Sequence, residues 1–448
     1  MSSSSHNIET LRFKVECPAH ERTWTQIAQR IHALGHEGIP IRLIIIGADE
    51  TSLTVEGSFI IGDRTPIWPS LISEPSASFE RSFDPNVVIS IIPTGVRAEI
   101  GGFAGDATPA TNLLAATCDY LITNPNSVTA SDLYFASDNV QYVEGNLICR
   151  FMLGQLDLHP IKQQSVGLVV EKPREERFLR NVQNAVNAMR TVAGIEVSPI
   201  VVTDEPINTR CTFSSEFGHA SGEYDEMDAL FAAMDIAMKD KNAAHAVGLI
   251  TSLEVPDEVR NDYYDGKPIP NPWGSAEAIL THMTTSFYPI TAAHSPLLLE
   301  FGHTMFGTLG DPRDGAELIS SAFLCSMIRG LSQSPRVLKP GHSRPGALHR
   351  SDIRAIVMPE SVVGNIPFFT AIEHGIPVIL VRGNPTIFDM TPERVGLDLA
   401  GNNIHIVNSY MEAAGLLMAL KEGINPFAIK RPVDLLELTM MAQEKLAT

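Results

Sequence analysis

Short, β-branched apolar runs alternate with amphipathic stretches along most of this chain, and few architectures other than helix-covered parallel sheets accept that alternation. Val87-Val88-Ile89-Ser90-Ile91-Ile92 is such a run, followed by a helical pattern from Ala110 to Ala116 and by further runs at Leu121-Ile122 and Val140 to Val143. Val166 to Val170 is another. It precedes Phe178, Val182, Val186 and Met189 at helical spacing, a stop at Gly194, and a returning strand at Ile195 to Val202. Strand, helix and strand in this order predict a βαβ unit with a right-handed crossover. The pattern recurs where a helix around Met227 to Met238 precedes His245 to Thr251, and where Ile353 to Met358 is joined to Pro377 to Val381. Nearer the start, Leu11 to Val15, Ile41 to Ile46 and Leu53 to Ile61 read as strands and Trp24 to Leu34 as a helix. The predicted fold class is α/β, with mostly parallel Rossmann-like sheets and flanking helices, plus a small N-terminal α/β unit.

At 448 residues the chain exceeds the size at which a single core usually stops growing. Residues 1–85 are expected to hold the small N-terminal domain and a proline- and serine-rich linker. Residues 86–400 form the main catalytic region, and 401–448 its helical C-terminal part. The main region divides into two lobes, 86–160 with 335–448, and 161–334. Acidic residues outnumber basic ones by 52 to 33, a formal charge of −19, which sets nucleic acid and anionic membrane surfaces aside as general partners. Cys17, Cys118, Cys149, Cys211 and Cys325 form no CxxC pair, so neither a disulfide framework nor a structural zinc site is expected. A reducing cytoplasm is the expected location. Met1 to His6 lack the features of a signal peptide, and no apolar run approaches the roughly 20 residues of a membrane span. Self-association into a homo-oligomer is left open.

Candidate chemistry gathers in three places. The first is Pro93-Thr94-Gly95-Val96-Arg97-Ala98-Glu99-Ile100-Gly101-Gly102-Phe103-Ala104-Gly105-Asp106. Its glycines, at the carboxyl end of a buried strand, bring bare amides toward a ligand, where open α/β sheets bind them. Thr94, Gly95, Arg97, Gly101, Gly102 and Gly105 are candidate anion-binding residues, and Asp106 a candidate catalytic carboxylate. The same glycines suit a tight strand–helix turn in which Asp106 or Thr108 is only an N-cap.

The second place runs from Trp273 through Glu277 and His282 to Ala292-Ala293-His294-Ser295-Pro296. Glu277, His282 and His294 are its catalytic candidates. Glu277 and His282 diverge by about 140° on one helix, so they are not a zinc-binding HExxH pair. His294 is expected just after a short strand from Phe287 to Ala292, where an imidazole suits acid–base work; a buried hydrogen-bonding role is the alternative.

The third place is Pro359 to Pro377, a strand, a turn at Gly364, a helix closed by Gly375, and another strand. A helix N-terminus at Gly364 facing phosphates would resemble the donor-nucleotide site of two-domain glycosyltransferases; an ordinary helix C-cap is the alternative. Asn124, Asn126 and Asn384, each just past a predicted strand, complete the candidate ligand-binding set. Basic Arg336 to Arg350 reads either as a loop that closes on an anionic substrate or as a solvated charged surface. No GxGxxG fingerprint marks an NAD or FAD site, and no GxSxG elbow marks a serine hydrolase. A divalent metal is the cofactor that Asp106, Glu277 and His294 would suit.

Ile92-Pro93-Thr94-Gly95, Ile100-Gly101-Gly102-Phe103-Ala104-Gly105-Asp106, Thr123-Asn124-Pro125-Asn126 and Tyr142-Val143-Glu144-Gly145 resemble the motifs of an uncharacterised bacterial and algal family, a domain of unknown function common in cyanobacteria. Ala276-Glu277-Ala278-Ile279, His282 and Ala293-His294-Ser295-Pro296 extend the resemblance, which spans Val87 to Gly396. The family pattern carries a histidine where this chain has Asn124. The resemblance implies a site and leaves its reaction open. The expected function is that of a cytoplasmic enzyme acting on a small, polar, anionic metabolite by acid–base or metal-assisted chemistry, as a hydrolase, lyase or isomerase. A nucleotide-dependent transferase and a non-catalytic metabolite-binding protein are the alternatives.

Overall fold

The computed structural model describes residues 6–73, 84–103, 105–127, 129–130, 132–214, 219–239, 244–297, 323–341, 344–399, 401, 403–429 and 431–433. Ala104 of the glycine-rich segment and His342 of the basic segment lie outside the described residues.

Val87–Ser90, Tyr120–Thr123, Val140–Tyr142, Ile353–Pro359, Val378–Val381 and Ile404–Val407 pair as a parallel six-stranded sheet. In space these strands, numbered by their order in the chain, run third, second, first, fourth, fifth, sixth. The chain starts in the middle, moves out to one edge, then returns past its start and moves out the other way. The direction reverses between Val87–Ser90 and Ile353–Pro359, the position at which open α/β sheets bind ligands; here the loop after Val87–Ser90 crosses that point, the Glu99 amide donating to the Pro385 carbonyl and the Ile387 amide to that of Val96, both at 3.0 Å. The strands are apolar on both faces because both are covered. Thr108–Ala115 and Tyr410–Lys421 pack on one face, Gly145–Met152 and Ile366–Glu373 on the other.

Between the third and fourth of these strands the chain builds a second parallel sheet from Val166–Val170, Val197–Val202, Ala246–Thr251 and Thr291–Pro296. Its spatial order is Thr291, Ala246, Val166, Val197. Helix Met227–Ala237 covers one face, and Arg177–Ala193 with Phe323–Gln333 the other. The predicted helix over Phe178 to Met189 is stopped as expected by Gly194, in the left-handed region at φ 63°. The expected strand at Phe287 to Ala292 is displaced. Helix Pro272–Phe287 runs on through Phe287, and the strand is Thr291–Pro296, so His294 lies inside it rather than after it. Thr284, Thr285 and Ser286 support that extension by being fully buried in the helix. A strand at Ile404–Val407 also precedes helix Tyr410–Lys421, so the C-terminal part is not purely helical.

At the N-terminus, Asn7–Glu16, Ile39–Ala48 and Ser52–Ile61 form an antiparallel sheet backed by helix Trp24–Ala33. Its core is continuous with that of the six-stranded sheet, Trp24, Ile45 and Val55 joining Ile366, Phe368 and Met358. Residues 68–71, beyond that sheet, are tied to the fold by two indole hydrogen bonds. Trp24 donates to the Leu71 carbonyl at 3.1 Å, and Trp68 donates to that of Thr285 at 2.9 Å.

Candidate functional site

The glycine-rich segment leaves the carboxyl end of Val87–Ser90 at the switch point, where asparagines pin it from both sides. Asn124, beyond the neighbouring strand, accepts from the Ile92 amide at 3.0 Å and donates to the Ile92 carbonyl at 2.7 Å. Its carboxamide stands in for a strand partner. Asn384 does the same for Ile100, accepting at 2.8 Å and donating at 2.9 Å. Asn126 donates to the carbonyls of Pro93 at 3.1 Å and Gly101 at 2.5 Å. Asp106 accepts from the Gly101 amide at 2.6 Å, while the following helix starts at Ala107 without a side-chain cap. These four side chains therefore spend polar groups on holding the loop's shape. Gly102 serves the same end, since a Cβ there would lie 2.2 Å from the Ala98 carbonyl oxygen, and Gly101 is held at φ 89° against Ile92. Gly95 and Gly105 also turn with positive φ, at 77° and 82°.

Arg97, itself in the left-handed region at φ 44°, reaches across to the carbonyls of Gly266 (3.0 Å), Lys267 and Ile269 (3.1 Å). A non-glycine residue pays about 1 kcal/mol for that backbone, and the three bonds offset it. All three partners are neutral, so the positive charge of Arg97 stays uncompensated by them. The turn that it clasps leads into Pro272–Phe287. Asn271 caps this helix by accepting from the amides of Trp273 at 3.0 Å and Gly274 at 3.2 Å. Gly274 permits the helix to meet the loop, for a Cβ there would lie 2.6 Å from Thr94 Cγ2.

Around this helix Glu277 lies about 60° to one side of Gly274 and His282 about 80° to the other, and the two side chains reach different partners. His282 bonds through Nδ1 to Glu144, at the end of Val140–Tyr142. Glu277 Oε1 lies 3.1 Å from His294 Nδ1 without the alignment of a hydrogen bond, and His294 Nε2 is 2.9 Å from Thr251 Oγ1. His294 and Thr251 occupy the carboxyl ends of adjacent parallel strands. The His294 side chain is 1% exposed and that of Glu277 32%, so solvent meets this series of groups at the carboxylate.

Glu144 is fully buried and gathers donors: the amides of Asn146 (3.0 Å) and Leu147 (3.3 Å), the Thr285 hydroxyl (2.9 Å), and His282. Burial is the largest influence on its carboxyl and pushes it up. The charge that His282 can carry and these hydrogen bonds outweigh burial and hold it below the usual carboxylate range. Tyr142, on the same strand, donates its hydroxyl to the Ala292 carbonyl at 3.2 Å. Thr251 and Glu144 were not singled out as site residues by sequence reasoning. Glutamate is not among the residues that usually mark an N-cap, and a threonine ending a strand carries no signal either, so neither role stands out in the sequence.

The third sequence cluster stays apart. Gly364 is covered by the N-terminal sheet, its carbonyl accepting from the Ile45 amide at 2.8 Å, and a Cβ there would lie 2.2 Å from the Ile45 oxygen. Asn365 caps the following helix by accepting from Phe368 N at 2.9 Å. The Gly364 turn therefore faces protein where a nucleotide phosphate was considered. The basic segment lies at the amino-terminal edge of the four-stranded sheet, where Arg336 pairs with His159. Thr251 lies at the opposite edge, five residues or about 17 Å along its strand from Ala246, and His294 three residues or about 10 Å from Thr291, whose hydroxyl donates to the Pro335 carbonyl at 3.0 Å. Among the described residues no three His, Cys, Asp or Glu side chains are grouped to share one metal ion.

The matched motifs thus converge from positions 17 to 180 residues apart: Thr94 on Gly274, Asn124 on Ile92, Glu144 on His282, Glu277 on His294. A family model described as "Protein of unknown function (DUF3326)" matches residues 87–430. The chain belongs to the DUF3326 family. An uncharacterized lipoprotein of Synechococcus sp. (strain ATCC 27144 / PCC 6301 / SAUG 1402/1) is 28% identical over 345 residues, covering 76% of this chain and 92% of that protein. No solved structure matches the chain. The DUF3326 match takes in both parallel sheets and every candidate site residue, and begins just after the N-terminal sheet. Among the described residues no helix is long and apolar enough to cross a membrane.

Proposed function

We propose that this DUF3326 chain is an enzyme that acts on a small, polar, anionic metabolite by acid–base chemistry beside the junction of the Thr94 loop with helix Pro272–Phe287. The observation that carries this reading is the series Glu277, His294, Thr251, ordered at 3.1 and 2.9 Å on the carboxyl edge of a parallel sheet. Glu277 is the exposed end and takes or gives the proton at the substrate. His294 is a positioning residue behind it, and Thr251 fixes the imidazole from the far side. Two features favour an anion. The 16-residue helix directs its positive end at Thr94, and Arg97 keeps its charge nearby. Elimination, isomerisation and hydrolysis all need such a proton carrier. A cytoplasmic location agrees with five free cysteines.

A second reading draws on the strand order. The reversal point of a six-stranded parallel sheet is where nucleotides bind in doubly wound folds, which supports a nucleotide-dependent transferase using the Thr94–Gly95 turn.

One experiment tests the leading reading. Purified protein is incubated with a cellular metabolite extract, and mass spectrometry compares wild type with Glu277→Gln and His294→Ala. The expected result is an anionic species consumed by wild type, about 10²–10⁴-fold more slowly by Glu277→Gln, with both variants folded. Equal consumption by all three proteins removes Glu277 and His294 from the chemistry. Consumption only with added nucleotide transfers support to the second reading.

A further inference from the structure

The two chain crossings between the parallel sheets lie side by side. Asp157–His159 leads out and Arg336–Leu338 returns, and they pair antiparallel with Arg336 directly opposite His159. Opposed residues of an antiparallel pair project from the same face. His245 joins them from the start of the next strand, its ring nitrogen 3.2 Å from Ser165 Oγ on the outgoing crossing. Arg344 belongs to the returning segment.

These groups repel one another. Burial first, and then the charge of Arg344, depresses Arg336. Burial followed by the two arginines depresses both His159 and His245, partly opposed at His159 by a backbone bond at Gly346. No carboxylate enters any of these balances. Asp157, the acid on the same face of the ribbon, is occupied by His349 at 2.7 Å and by the Gly341 amide at 3.0 Å. Arg336 Nε and His159 Nδ1 are buried with no hydrogen-bond partner among the described residues. In a chain of net charge −19, two arginines with no carboxylate bonded to either of them among the described residues are a counter-ion deficit at one place.

We propose that Arg336, Arg344, His159 and His245 form a binding site for a phosphate-bearing metabolite on the double crossing, separate from the Glu277 site. The orphaned Arg336 Nε supplies a buried donor, His159 Nδ1 is the acceptor nitrogen that takes the proton of a monohydrogen phosphate, and exposed Arg344 and His245 supply the open side through which a ligand enters. Both crossings contribute, so a bound phosphate would tie the two sheets' connections together.

The test is calorimetric titration of inorganic phosphate into the full chain at fixed ionic strength. Saturable binding is expected, with Arg336→Gln/Arg344→Gln weakening it about tenfold or more and His245→Ala, an exposed change, weakening it less. Glu277→Gln should bind as wild type, which separates this site from the proposed catalytic one. If the double variant fails to fold, His245→Ala together with the single Arg344→Gln, both at exposed positions, decides the matter. Absence of saturable binding, competition by chloride at equal concentration, or unchanged affinity in the variants overturns the proposal.

Discussion

Replacing Glu144 should be among the most damaging single changes in this chain. In Glu144→Ala the helix Gly145–Met152 loses its N-cap, which costs about 1 kcal/mol. The buried Thr285 hydroxyl and the His282 Nδ1 each lose their acceptor, at about 1–3 kcal/mol apiece. The sum, about 3–7 kcal/mol, spans the roughly 3–5 kcal/mol that breaking a buried ion pair usually costs. Glu144→Gln keeps the shape and, with its oxygen toward the Asn146 and Leu147 amides, the cap acceptor, but gives up the charge and turns an NH2 donor toward His282 Nδ1, so about 1–3 kcal/mol is expected. Urea unfolding followed by tryptophan fluorescence reads this directly, because Trp68 donates to Thr285, one of the residues around the carboxylate. The sign with pH is fixed. The folded carboxyl ionises below its ordinary value of 4.5, so the stability that it contributes is complete above that pH and is lost as pH falls through the folded value. The difference between wild type and Glu144→Gln should therefore shrink on acidification. A Glu144→Ala variant within about 1 kcal/mol of wild type at neutral pH, or a difference that grows in acid, would refute the account.

Two further changes separate fold from site. Gly364→Ala puts a methyl 2.2 Å from the Ile45 oxygen and should lower the urea midpoint by the equivalent of about 1–3 kcal/mol, while substrate consumption per folded molecule is unchanged. Asn124→Leu leaves the buried Ile92 carbonyl unpaired and weakens the bonding of its amide, at about 2–4 kcal/mol; Asn124→His, the residue of the resembled family pattern, should recover part of that loss in the same unfolding assay.

Most strands and helices were legible because burial writes itself into sequence at a fixed period. Val87–Ser90, Val166–Val170 and Ala246–Thr251 are covered on both faces and so read as unbroken apolar runs. The misplaced strand shows where that logic fails. Thr284, Thr285 and Ser286 look like a polar break, yet they are buried on the helix, with side chains bonded to the carbonyls one turn back and to Glu144. Ile404–Val407 is only four residues long and its middle two are half-buried, which is too weak an alternation to stand out. Strand order is a further matter. Periodicity shows that a segment is a strand, and not that Val87–Ser90 pairs with Ile353–Pro359 across 263 positions of chain.

The site was legible in its residues but not in their division of labour. Glycine density in the Thr94–Asp106 segment pointed to ligand approach, whereas Gly101 and Gly102 answer to Ile92 and Ala98 within the loop itself. The asparagines pointed to ligand contacts, and two of them replace missing strand partners for Ile92 and Ile100. A loop built this way is rigid before any ligand arrives. Rigidity of that kind is what a site needs if Thr94 and the Gly274 end of the helix are to hold a small anion in register with Glu277. The residues that fix the loop and the residue proposed to face a substrate are therefore different sets. The sequence could not separate them, because both sets look alike until the helix Pro272–Phe287 is seen lying across the loop.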